Sequence, residues 1–299
     1  MTEPNKTAEG AAPCVVITGA TQGVGRALAE EFARDGHALL LVARNEAALA
    51  SAARKLAADH GVTVNYAACD LATDEGCEGV EQALRRHGLY AGILVNNAAM
   101  MAAGFFQDQD PAMLSKLVDL NVRAMVDLTR RFLPGMIARG KGGVLNVASV
   151  EGFMPIPYQA TYAATKAIVL SFSRALAYET MYTGVSVCTL APGTVATSLH
   201  EKAGAEYSRY VRFLPTKTAE DVARIGYRNF KRGSKLTVTG WFNRLGIFVS
   251  RFVPNLLLLP FMGLLFRVLD ADGNPQMPRV LPPAKPPAAS VKETRRAAP

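Results

Sequence analysis

From about residue 14 to residue 238, short apolar runs alternate with amphipathic stretches. The runs at 14–18, 38–43, 62–68, 92–95, 143–147 and 185–190 are rich in Val, Leu and Ile and do not alternate strictly with polar positions. That pattern suits parallel strands covered on both faces. Between them, helical spacing covers 26–35, 46–60 and 74–87, each followed by a glycine stop signal: Gly36, Gly61 and Gly88. Longer helical patterns span 111–137 and 161–182. Repeated strand–helix alternation requires right-handed crossovers and predicts an α/β fold on a doubly wound parallel sheet.

The pattern changes after about Gly240. Residues 241–269 are strongly apolar but are broken by Arg244, Arg251 and Arg267 and by Pro254 and Pro260. The longest uncharged run, 252–266, is shorter than the ~20 residues of a bilayer span. Trp241, Leu245, Phe248 and Phe252 fall at helical spacing with arginines on other faces, which suits a helix lying in a membrane interface. A flap over the substrate or a subunit interface suits the same segment equally. The chain thus divides into a leader at 1–13, one α/β domain at 14–240, an apolar extension at 241–272 and a Pro/Ala-rich tail at 273–299, expected to be disordered. The leader is polar and carries acids, unlike a signal or transit peptide.

With 299 residues, almost half of them apolar, the chain can bury one full core. Cys14, Cys69, Cys77 and Cys188 have neither metal-ligand nor redox spacing, so reduced thiols in a cytoplasm-like compartment and no metal site are expected. His37, His60, His87 and His200 are dispersed among charged or turn residues and read as solvated surface groups. The net charge of +8 comes without a Lys/Arg run or interleaved aromatics, which argues against nucleic acid. An anionic cofactor or a membrane surface suits it.

The segment Thr18-Gly19-Ala20-Thr21-Gln22-Gly23-Val24-Gly25 links the first strand to the first helix. Glycines there let backbone approach a pyrophosphate, and the helix start supplies unpaired N–H groups and a positive dipole end. The second strand ends Ala43-Arg44. An acid at that point would accept the ribose hydroxyls of NAD. None is present, and Arg44 can pair with a 2′-phosphate, so NADP(H) is the expected cofactor, with NAD(H) second.

Tyr162 and Lys166 stand at i and i+4, on one helix face. An ammonium ~4 Å from the phenol, at an effective dielectric near ~20, favours the phenolate by ~4 kcal/mol, roughly three pKa units. That would suit proton transfer near neutrality. Ser149 closes the fifth strand thirteen positions earlier, and Asn121 lies in the preceding long helix. The carboxyl ends of the strands meet on the glycine-turn edge of such a sheet.

These motifs, in this order, resemble the short-chain dehydrogenase/reductase family over about residues 14–238. The likeness includes the Thr18–Gly25 turn, Asp70-Leu71, Asn96-Asn97-Ala98, Asn121, Ser149, Tyr162, Lys166 and Pro192-Gly193-Thr194-Val195-Ala196-Thr197. The resemblance implies a single Rossmann-type domain that moves a hydride between NADP(H) and a carbonyl or secondary alcohol. By the same resemblance, Tyr162 is the proton donor or acceptor, and Lys166 lowers its pKa and bonds the nicotinamide ribose. Ser149 bonds the substrate oxygen, and Asn121 holds a water that relays protons to Lys166. Asp70 and Leu71 border the adenine, Asn97 contacts the cofactor, and Val195 and Thr197 lie near the carboxamide. The resemblance also implies a homodimer or homotetramer paired through the two long helices.

The chain departs from the family pattern at Ala99, where glycine is usual, and at Gln22, where some NADPH-preferring members carry Arg or Lys. The second departure rests the cofactor preference mainly on Arg44. Residues 151–158 and 196–240 are the expected substrate walls. Phe153, Met154, Pro155, Ile156, Pro157 and Tyr158 favour a lipophilic ketone, 3-oxoacyl or steroid-like substrate. A non-catalytic nucleotide-binding scaffold of the same fold is the alternative. The Asn121–Ser149–Tyr162–Lys166 set speaks against it. A lyase, epimerase or dehydratase acting on nucleotide sugars would need a longer substrate domain.

Overall fold

The computed structural model describes residues 10–279. Seven parallel strands form one sheet in the order β3-β2-β1-β4-β5-β6-β7. They are β1 Ala12–Thr18, β2 Leu39–Ala43, β3 Val64–Ala68, β4 Leu89–Asn96, β5 Gly142–Val147, β6 Val185–Ala191 and β7 Leu236–Val238. The order reverses between β1 and β4, and a crevice opens at the carboxyl ends of such neighbours.

One face of the sheet carries α1 Gly23–Arg34, α2 Glu46–His60 and α9 Ala219–Lys231. Leu28, Phe32, Leu49, Leu56, Val222 and Tyr227 pack there against Ile17, Leu41 and Val95. The other face carries α3 Asp74–Arg86, α5 Ala124–Ala138 and α6 Ala160–Glu179. Val80, Leu84, Leu128, Phe132 and Leu176 pack there against Val16, Leu40 and Leu94. Strands covered on both faces explain why their sequences do not alternate.

Several boundaries differ from the sequence expectation. β1 starts at Ala12, inside the expected leader, because Ala12 N donates to Gly88 O at 2.9 Å. Residues 1–9 of that leader lie outside the described residues. β7 was not anticipated; its three residues are too few to carry a period, yet they pair with Thr189–Ala191. The helix expected over 111–137 is α4 Pro111–Val118 and α5, joined by a π-helical turn at Asp119–Arg123. The backbone stays helical on both sides of the turn and no glycine or proline marks it, so the sequence hides it.

Beyond β6 the chain forms α7 Leu199–Lys202 and α8 Arg209–Phe213, then α9 and β7, then α10 Trp241–Ser250 and α11 Asn255–Phe266. Pro254 separates the last two and Pro260 lies within α11. The tail expected to be disordered from residue 273 is corrected as far as Arg279. Gln276 N donates to Val268 O at 3.0 Å, and Arg279 N donates to Asp108 Oδ2 at 3.0 Å. Residues 280–299 lie outside the described residues.

Candidate active site

Thr18 ends β1 with its hydroxyl turned across the sheet. It donates to Val95 O (3.2 Å) and accepts from Asn97 N (2.9 Å) and Ala98 N (3.0 Å). Asn97 Nδ2 in turn donates to Thr18 O at 2.9 Å and Gly19 O at 3.3 Å. The glycine turn is therefore pinned to the end of β4. Gly19 and Gly23 adopt φ of +66° and +55°, a region open to glycine. A Cβ on Gly25 would fall 2.3 Å from both Asn97 Nδ2 and Gly19 O.

A cavity of about 770 Å³ runs from this turn to the start of α6. Most of the sequence-derived site residues line it: Gly19, Thr21, Gln22, Gly23 and Val24 at the turn, Arg44, Asp70 and Leu71 at one end, and Asn97 in the floor. Ser149, Tyr162, Lys166, Val195 and Thr197 line the rest. Thr18, Gly25 and Asn121 do not; they stand behind the wall and hold it.

Asn121 sits in the π turn. Its Oδ1 accepts from Met100 N (2.8 Å), and its Nδ2 donates to Met100 O (2.9 Å) and Thr165 Oγ1 (3.1 Å). Its side chain ties the loop after β4 to α6.

At β2, Asn45 caps α2 by accepting from Ala48 N at 3.0 Å. The cap turns the chain immediately after Arg44, whose side chain stays exposed at the cavity mouth. The acid in this region, Asp70, is held by Lys116 Nζ at 2.8 Å. Gln22 Oε1 accepts from Lys202 Nζ at 3.1 Å, so α7 brings a second cation over the glycine turn.

Ser149, Tyr162 and Lys166 share the deep end and are all buried. Lys166 Nζ donates to Val147 O at 3.0 Å and lies 5.6 Å from the Tyr162 ring centre. Burial and the charge of Glu151 push the Tyr162 phenol up, while a hydrogen bond with Ser149 pulls it down. This corrects the sequence estimate of a phenol lowered by Lys166. Coulomb's law between two charges omitted desolvation, which dominates in a buried site. Burial also pushes Lys166 down to about 8, against an opposing pull from Glu151.

The sequence reading missed four polar residues here. Glu151 lines the cavity at 7% exposure. Burial pushes its carboxyl up to about 8, with Lys166 opposing. His200, expected on the surface, also lines the cavity, with Nδ1 2.9 Å from the Tyr210 hydroxyl. Gln159 Nε2 donates to the same hydroxyl at 3.0 Å. Burial lowers the His200 pKa. His200 and Tyr210 come from α7 and α8, more than thirty residues downstream of Tyr162, and no local pattern marks them.

The raised Glu151 pKa has a stability consequence. A native carboxyl that holds its proton more tightly than the unfolded chain contributes stability at low pH. That contribution is lost as pH rises from 4.5, the unshifted value, to about 8. The lowered Lys166 pKa acts above this window, between about 8 and 10.5. Glu151→Gln is therefore expected to raise the melting temperature by several degrees at pH 8 and by little at pH 4.5. A thermal melt series across pH checks this, and a pH-independent difference would contradict it.

Leu258, Met262 and Phe266, at i, i+4 and i+8 of α11, pack in one apolar cluster with Tyr162, Ile156, Met101 and Tyr210. Phe266 stacks on Tyr210 at 4.3 Å between ring centres. The inner face of α11 thus closes over the buried apolar cluster that holds Tyr162. Its outer face, that of α10 and the turn between them leave Trp241, Leu245, Phe248, Phe252, Leu256 and Phe261 exposed.

A glycine turn at the switch point of a parallel sheet, opening onto a buried Ser–Tyr–Lys set, defines a dinucleotide-binding protein of the dehydrogenase type. The chain belongs to the short-chain dehydrogenase family, whose model, described as short chain dehydrogenase, matches residues 13–208. It is 35% identical over 188 residues to a very-long-chain 3-oxoacyl-CoA reductase of Mus musculus, covering 62% of this chain and 60% of that protein. It is 33% identical over 232 residues to the 17-beta-hydroxysteroid dehydrogenase type 3 of Danio rerio, covering 74% and 70%. Among solved structures, a short-chain dehydrogenase from Sphingobium yanoikuyae in complex with NADPH is 32% identical with a TM-score of 0.72, covering 80% of this chain and 93% of that one. The chain spans only about 60% of the length of the mouse relative.

Proposed function

We propose that the protein is an NADP(H)-dependent oxidoreductase that interconverts a lipophilic ketone and its secondary alcohol. The observation that carries this is the continuity of one cavity from Arg44 and the glycine turn to Ser149, Tyr162 and Lys166. The residues present fit the cofactor: backbone at the turn is bare, and Arg44 and Lys202 supply positive charge at the phosphate end. The Sphingobium neighbour carries NADPH, which supports the same choice. When bound, the dinucleotide supplies or takes the hydride.

The chain's own residues manage the proton. Ser149 holds the substrate oxygen and stabilises charge developing there. Tyr162, kept protonated by burial, donates its proton to that oxygen in reduction and accepts it in oxidation. Lys166 keeps positive charge beside the phenolate left behind. The apolar cluster of Met101, Ile156, Leu258 and Met262 around Tyr162 supports an acyl chain or a fused-ring ketone as the group bound beside it. The 3-oxoacyl and steroid names of the relatives lean the same way. Following the nicotinamide absorbance with a panel of 3-oxoacyl thioesters, bulky ketones and small charged keto acids tests this. A preference for the small charged compounds would overturn it.

The outer faces of α10 and α11 support peripheral membrane contact through 241–269. No described helix is long and apolar enough to cross a membrane. The exposed apolar side chains nonetheless form a patch of the kind that marks an interaction surface. Residues 222–269 contain no Asp or Glu, so the surroundings attract anionic lipid. Replacing Trp241, Phe248 and Phe252 together by Ser is expected to lower binding to phosphatidylserine-containing vesicles at least ~tenfold, from the area each side chain buries. Vesicle co-sedimentation measures this, and unchanged binding would contradict it. The exposed apolar residues Val126 and Ile137 on α5 and Ile168 on α6 support pairing of subunits through those helices.

A further inference from the structure

Glu151 has no part in the proton chemistry above, yet the fold places it deliberately. The short 3-10 turn Val150–Phe153 presses on α6 at Gly152, where a Cβ would fall 2.6 Å from the backbone carbonyl carbon of Lys166. That close approach puts Glu151 in the cavity wall beside Tyr162 and Lys166. The Glu151 backbone N–H donates to Ser149 Oγ at 3.2 Å. Its carboxyl Oε2 is buried with no hydrogen-bond partner. The groups around it are Lys166 and Tyr162 from α6 and Tyr210 from α8. The Tyr210 hydroxyl is already engaged by Gln159 and His200.

A buried polar atom without a partner is costly, and in a cavity wall a bound ligand is one group that can supply the partner. We propose that Glu151 is a specificity-determining residue that hydrogen-bonds a second oxygen of the substrate, close to the carbonyl held by Ser149. One residue separates Ser149 from Glu151, and the Glu151 N–H is bonded to the Ser149 hydroxyl. The second oxygen therefore lies a few atoms from the reacting carbon. A 1,3-dicarbonyl compound such as a 3-oxoacyl thioester has that spacing; the far oxygen of a fused-ring ketone does not. With its pKa raised to about 8, the carboxyl is an uncharged acid at neutral pH. It offers an O–H donor to a carbonyl oxygen. This inference rests on the carbonyl-reductase reading.

The test compares a 3-oxododecanoyl thioester with a plain twelve-carbon ketone, using the NADPH-loaded full chain. The readout is the ratio of the two kcat/KM values. In Glu151→Leu the ratio is expected to fall at least ~tenfold, through KM, for loss of one buried hydrogen bond. Glu151→Gln keeps a donor and is expected to hold the ratio within ~threefold. In the unaltered protein the ratio falls as pH rises through 8, where the acid loses its proton. In Glu151→Gln it stays flat, so the pH series decides even if the leucine variant does not fold. A ratio insensitive to both substitution and pH overturns the proposal, as does a plain ketone preferred by the unaltered protein. Reduction of the plain ketone alone defeats this inference and leaves the carbonyl-reductase reading standing. Reduction of neither substrate defeats both.

Discussion

Tyr162→Phe is expected to lower kcat for ketone reduction by roughly 10²–10⁴-fold, the contribution of a positioned general acid. The substitution removes one oxygen from a ring that is 5% exposed and packed among Ile156, Ala163 and Met262. The ring stays, so packing is kept. NADPH affinity, measured by fluorescence titration, is expected to stay near its original value, because the phosphate end of the cavity is untouched. Ser149 and Lys166 remain and can still hold the substrate oxygen and the positive charge. Residual turnover should therefore exceed the uncatalysed rate. A variant retaining a tenth or more of the original kcat would mean that another group delivers the proton.

The second large effect is expected at Arg44. Hydrogen bonds to charged groups contribute about 1.5–3 kcal/mol, so Arg44→Ala should raise KM for NADPH roughly 10–150-fold at ~1.4 kcal/mol per tenfold. KM for NADH should hardly change, since that cofactor lacks the 2′-phosphate. The physical basis is local. β2 ends at Ala43, Asn45 caps α2, and Arg44 is presented between them at the cavity mouth. Lys202, bonded to Gln22, sits over the turn and contributes charge to either cofactor. Steady-state kinetics with both cofactors measure the difference. A parallel loss with NADPH and NADH would show that Arg44 supports the fold rather than the phosphate.

What the sequence revealed depends on how far apart the interacting residues lie. The glycine turn was legible because strand, turn and helix start are contiguous from Thr18 to Gly25. Tyr162 and Lys166 were legible because helical spacing alone puts them on one face. The central sheet followed from its apolar runs, whereas β7 is too short to show a period. The π turn at Asn121 interrupts a helix with no glycine or proline to mark it. Its side chain serves the Met100 backbone, which spacing could not reveal.

The polar end of the substrate cavity was not legible. Glu151 was counted into an otherwise apolar wall, and its burial depends on Gly152 meeting α6. His200 and Tyr210 reach the site only when α7 and α8 fold over it. Burial also reversed the direction assigned to the Tyr162 phenol, because a pairwise charge argument carries no information on desolvation. The apolar extension had three readings: a flap over the substrate, a subunit interface and a membrane face. In α11 Leu258 and Met262 turn inward onto the Tyr162 cluster, while Leu256 and Phe261 stay exposed.

In the proposed function, one cavity joins an NADP(H) cradle to a Ser149–Tyr162–Lys166 proton site. Single-turnover absorbance at the nicotinamide band tests it most directly, with NADPH-loaded protein mixed with a 3-oxoacyl thioester and, separately, with a bulky ketone. Loss of one NADPH per occupied site is expected with at least one of them, at a rate slowed at least ~100-fold in Tyr162→Phe. NADPH that binds but is never consumed, or is consumed equally fast without the Tyr162 hydroxyl, would contradict it.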